Sequence, residues 1–148
     1  MVYSFYGKSP PGPGRFDRKE PIMPLAATAD QNTVVATTLT KALVRAAGLL
    51  QVRQASIARI LGVSGATASR LFSGQYLLSQ ERAKEWEFAV LFVRLYRSLD
   101  AILGHGDKAR VWLRGENLGL SARPVDLIES AEGLVRVLHY LDAHRGRV

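Results

Sequence analysis

The apolar positions of this chain recur at intervals of three and four residues, the period of helices packed on one side. Leu39, Leu43 and Leu50 mark the buried face of a helix over residues 37–50. Ile57, Leu61, Val63, Ala68 and Leu71 then fall at spacings that pack two short helices, 54–61 and 64–73, against each other, with the small Ala58 where they cross. Gly62 lies between them, where the chain must turn sharply and positive φ costs a glycine nothing. Ser64 is a natural N-cap for the second helix, and Gly74 and Gln75 close it. A long helix starts at Ser79 or Gln80 and runs to Leu103. Trp86, Val90, Val93 and Leu99 lie near one of its faces, and Phe88, Leu91, Phe92 and Leu95 widen the apolar surface, so it needs cover on more than one side.

Shorter segments follow the break at Gly104–Gly106. Asp107 is a candidate N-cap for a helix that carries Trp112 and ends near Arg114. Asn117 and Gly119 are suited to left-handed conformations beyond it. Pro124 opens a short helix over 125–129, and Ser130 caps the last one, with Glu132 in its first turn. Leu127, Ala131, Leu134, Leu138 and Leu141 repeat along this stretch. The prediction is an all-α chain. Residues 1–33, which hold the proline- and glycine-rich runs SPPGPGR and EPIMP, are expected to be a mobile arm. Residues 34–78 form a helix-turn-helix unit, and 79–148 a small helical domain.

Charge changes the reading of the helical hairpin. The chain of 148 residues carries a net charge of +7. From 31 to 80 there is no Asp or Glu, against Lys41, Arg45, Arg53, Arg59 and Arg70, so five of those charges sit on the helix-turn-helix stretch. Neutralising phosphates with Lys and Arg supplies most sequence-independent affinity for DNA. The second helix of the hairpin would expose Gly65, Ala66, Thr67, Ser69 and Arg70, short side chains followed by an arginine that reach base edges in a major groove. Ser64, Thr67, Ser69 and Arg70 are therefore the expected base-side set, with Arg53, Gln54 and Arg59 holding phosphates.

Other chemistry is sparse. There is no cysteine, hence no disulfide or thiolate metal site. His105, His139 and His144 include no i, i+4 pair, so no metal is expected. No phosphate-binding glycine loop follows a strand pattern. Asp126 and Glu129, three apart on a short helix, are expected to face solvent and not to act as a carboxylate pair. No catalytic set and no cofactor are expected, and the chain is not read as an enzyme. No basic segment followed by an apolar one opens it. Its most apolar run, 86–103, carries Arg94, Arg97 and Asp100, which argues for a buried or interface helix and against a membrane span; the absence of cysteine fits a reducing cytoplasm.

Residues 54–75 resemble the helix-turn-helix of the Xre and lambda-repressor type. The order Trp112-Leu113, Asn117, Leu120, Pro124-Val125-Asp126-Leu127-Ile128, Glu132-Gly133 and Val137 resembles the toxin-binding domain of Xre/MbcA/ParS antitoxins. Gly115-Glu116 stands where that family often has a proline. The resemblance covers residues 35–145 and implies an antitoxin. Its partner would be an ADP-ribosyltransferase-like, NAD-consuming toxin whose NAD site it obstructs, while a homodimer binds the promoter DNA of the operon. Toxin contacts would then fall at Trp112, Asn117, Pro124, Asp126 and Glu129. The tail residues Arg145, Arg147 and Val148 are added because arginines on a short end fit a pocket built for pyrophosphate. A stand-alone regulator whose C-terminal helices only dimerise is the alternative.

Overall fold

The computed structural model describes residues 25–104 and 106–145. Seven helices follow one another: α1 (Leu25–Leu50), α2 (Gln54–Leu61), α3 (Gly65–Phe72), α4 (Ala83–Leu103), α5 (Asp107–Arg114), α6 (Pro124–Leu127) and α7 (Ala131–Arg145). No strand occurs among the described residues; the only pairing of that kind is an isolated antiparallel bridge between Asn117 and Ala122.

α4 is the central element. It packs against α1 and α2 on the N-terminal side and against α5 and α7 on the C-terminal side. Its buried stripe is Ala89, Phe92, Leu95, Ser98 and Leu99. These positions join Leu43, Leu50, Ile57, Leu61 and Leu71 of the first three helices to Leu113, Leu134, Val137 and Leu141 of the last ones in a single core. The stripe differs from the expected one: Trp86 and Val93 are half-buried and Val90 is 43% exposed. On α7, Val137 is buried beside Leu134, Leu138 and Leu141, whereas Ala131 is exposed.

Two boundaries correct the expectation. The first helix starts at Leu25, twelve residues before the predicted 37, so 25–33 belong to α1 and not to an arm. Residues 1–24 lie outside the described residues. Exposed residues 29–35 precede its buried half, which begins at Thr40 and Leu43. This helix, and not α4, also holds the stretch long and apolar enough to cross a membrane by length and composition, Ala29–Leu50 with mean hydropathy 1.3. Its second half is a core helix at Leu43, Ala46, Ala47 and Leu50. α4 itself begins at Ala83, because the preceding loop is tied down. Thr40 Oγ1 accepts from the Leu78 backbone N–H at 3.1 Å, and Tyr76 donates its hydroxyl to Glu85 at 2.7 Å.

α1 ends in a Schellman turn. The Val52 N–H reaches the Ala47 carbonyl at 2.9 Å and the Gln51 N–H reaches Gly48 at 3.1 Å. The left-handed position of this turn, usually glycine, is occupied by Gln51 at φ 54°. Beyond α5, the left-handed residue is Ser121 at φ 52°, and neither Asn117 nor Gly119 adopts that conformation. Asp107 is the first residue of α5 and pairs with Arg110, so the cap position falls on Gly106.

Candidate functional site

α2 and α3 make a helix-turn-helix whose turn is local chemistry. Gly62 adopts φ +70° and closes α2, and the Val63 N–H returns to the Ala58 carbonyl at 3.0 Å. Ser64 stands in extended backbone and its side chain accepts from the Thr67 N–H at 3.1 Å, the expected cap. The Ser64 hydroxyl also donates to Thr67 Oγ1 at 3.0 Å, and Arg70 Nη2 donates to the same oxygen at 3.4 Å. Ser64, Thr67 and Arg70 thus form one hydrogen-bonded run along the outside of α3. Ala68 and Leu71 are buried; Gly65, Ala66, Ser69 and Arg70 are exposed. The residues expected at base edges share one outer surface, and a helix so presented fits a major groove. Arg53 sits at the α2 N-cap position with no side-chain cap bond, next to the exposed Gln54.

Arg59 goes elsewhere. Its Nε donates to Glu129 Oε2 at 2.7 Å and its Nη2 to Oε1 at 2.8 Å, and Ser56, buried on the same helix, donates to Oε1 at 2.6 Å. The hydrogen bond from Arg59 chiefly holds the Glu129 carboxyl below its usual range; burial opposes it, and the Ser56 hydrogen bond and the Arg59 and Arg53 charges add to the lowering. One expectation is corrected here: Glu129 does not stand free in solvent but is half-buried and clasps α2. The Arg59 side chain, expected at a phosphate, pairs with this carboxylate and stays 52% exposed.

The C-terminal residues divide by role. Trp112 is half-buried and stacks on Tyr140, with ring centroids 6.2 Å apart, and Tyr140 packs in turn on His144 at 4.2 Å. Gly119 lies under the same tyrosine, since a Cβ there would come within 2.6 Å of Tyr140 Cε2. The Asn117 side chain accepts from the Leu120 N–H at 3.1 Å, and its backbone N–H pairs with Ala122, so this residue shapes the loop. Pro124 is buried at the start of α6, and Asp126 pairs on the surface with Arg123 at 2.8 Å. Arg145 is the exposed last residue of α7; Arg147 and Val148 lie outside the described residues. Leu118, absent from the expected set, is 95% exposed at the tip of the Asn117–Ala122 loop, and Val111 on α5 is 70% exposed. Among the described residues no cluster of three or more His, Asp or Glu is placed to hold a metal ion.

Comparison with known families assigns both halves. Residues 32–94 match the antitoxin Xre-like helix-turn-helix domain. Residues 98–147 match the antitoxin Xre/MbcA/ParS C-terminal toxin-binding domain. No curated protein matches the chain. With a DNA-binding helix-turn-helix and a toxin-binding domain side by side across residues 32–147, the chain belongs to the Xre/MbcA/ParS antitoxin family.

Proposed function

We propose that this antitoxin neutralises an ADP-ribosyltransferase-like, NAD-consuming toxin by covering its active site, and represses its own operon as a homodimer. The observation that carries this reading is the succession of the two family domains in one chain. The toxin surface is the outer side of the C-terminal domain, where Leu118 and Val111 stand exposed. Arg145 and Arg147 would supply cationic groups for a toxin pocket that otherwise holds phosphate. Co-expression with the adjacent gene product tests the first half, with growth and NAD level as readouts. Deleting 145–148 is expected to release toxicity while promoter binding by the free antitoxin persists. Full protection by the shortened chain would assign inhibition to the loop surface alone.

For DNA, Arg70→Ala is expected to cost about 1–3 kcal/mol at the promoter and to relax sequence preference. Unchanged affinity in a gel-shift series would remove α3 from the DNA. Dimerisation is supported by an apolar groove of about 540 Å³ between α1 and α4, lined by Val34, Val35, Trp86 and Val90 among others. A second copy seated there by two-fold symmetry would set the recognition helices ~34 Å apart for successive grooves. Sedimentation as a monomer at micromolar concentration would contradict it.

A further inference from the structure

The toxin-binding domain meets the helix-turn-helix at a cleft of about 270 Å³ that opens beside the start of α2. Arg53 comes from the turn before α2, Arg114 from the end of α5 and Arg123 from the residue before α6; all three line it. The two carboxylates that line the cleft, Asp126 and Glu129, are bonded to Arg123 and Arg59. Among the described residues no carboxylate is ion-paired with Arg53 or Arg114, and the Arg114 guanidinium donates to the Gln51 carbonyl at 2.9 Å. Three guanidinium groups against two carboxylates leave the lining net positive, and the guanidinium is the side chain that matches phosphate oxygens bidentately.

We propose that this cleft seats a phosphate of the DNA backbone, so that the toxin-binding domain itself, through Arg114 and Arg123, forms part of the DNA-binding surface. The inference rests on the DNA reading of α3 given above. A duplex is favoured over an acidic peptide because the cleft is continuous with Arg53 and Gln54, at the end of the helix that crosses the sugar–phosphate backbone in a helix-turn-helix complex. The clasp between Arg59 and Glu129 holds the two walls of the cleft together.

The test measures the salt dependence of binding by the full-length chain to a duplex of its own promoter and to an unrelated duplex of equal length. Arg114→Gln and Arg123→Gln are compared with Lys108→Gln, an equal loss of charge at the exposed start of α5. The Arg123 guanidinium bonds the Asp126 side chain, so its variant keeps the question open to an answer if R114Q disturbs the turn at Gln51. Removing one arginine–phosphate pair lowers the log–log salt slope by about 0.9, which shrinks the fall in affinity between 50 and 200 mM salt about 3- to 4-fold. The expected result is this change in R114Q and R123Q, equal for both duplexes, with K108Q like the wild type. Unchanged slopes in both arginine variants, or an equal change in K108Q, would overturn the proposal. Unchanged slopes with weakened capture of the co-expressed toxin would overturn it in favour of an acidic segment of that toxin. A wild-type chain that binds neither duplex would remove the DNA reading as well, which separates the two failures.

Discussion

At Gly133 there is no room for a side chain. A Cβ would collide with the Leu127 carbonyl oxygen and stand 2.9 Å from Ser130 Oγ, the group that caps α7 by accepting from the Gly133 N–H at 3.0 Å. Glycine in a helix usually costs up to about 1 kcal/mol relative to alanine. Here the close approach of α6 reverses the sign, because a backbone atom cannot move aside without dragging Pro124–Leu127 with it. Gly133→Ala is expected to destabilise by about 1–3 kcal/mol, measured by denaturant midpoint. Gln51 presents the opposite case. Held left-handed, it bears a steric cost that glycine lacks, so Gln51→Gly should stabilise by about 1 kcal/mol, read as a higher thermal midpoint. Leu118 contributes nothing to the core at 95% exposure, so Leu118→Ser should leave the stability within about 0.5 kcal/mol of wild type. If the loop is the toxin surface, the same variant loses toxin capture; retained capture would place the toxin elsewhere.

Among the elements, the pairing of α2 with the segment between α6 and α7 is the one most sensitive to acid. Glu129 has its pKa lowered in the fold, first by the Arg59 hydrogen bond. The unfolded chain therefore takes up the proton at higher pH than the folded one. The stabilisation is complete above the ordinary glutamate range, falls as pH drops below the reference value of 4.5, and is gone below the folded pKa. Glu129→Gln should weaken the chain at neutral pH and flatten its acid limb, as followed by urea midpoints from about pH 7 to 3. An unflattened limb would show that the clasp does not form in solution. How legible each element was follows from the range of its determinants. The α2–α3 hairpin was readable because its glycine turn, serine cap and apolar spacing all lie within about twenty residues. The early start of α1 was hidden because 29–36 bear no buried stripe and the helix follows a proline-rich run. The pairing of Arg59 with Glu129 spans 70 residues and is decided by how α4 brings α7 to α2, which no local spacing encodes. An exposed leucine such as Leu118 leaves no periodic signal at all, and Ser121 took the left-handed position that Asn117 and Gly119 were better suited to fill.

For the molecule as a whole, the two family domains are not two cores. The helix-turn-helix match stops at 94 and the toxin-binding match starts at 98, both inside α4. Phe92 of the first and Leu99 of the second are fully buried in the same cluster. Fragments 25–94 and 98–145 should each fail to fold alone, and the intact chain should melt in one transition seen identically by circular dichroism and tryptophan fluorescence. Two separated transitions would show independent domains. A shared helix also has a consequence for how such a protein is lost. A protease that reaches α4 during a transient opening needs only one cut, and that cut removes the helix-turn-helix and the toxin-binding domain together. Neither activity can outlive the other on a damaged chain. If the chain represses its own operon as proposed, its turnover would free the toxin and reopen transcription of its replacement in the same event.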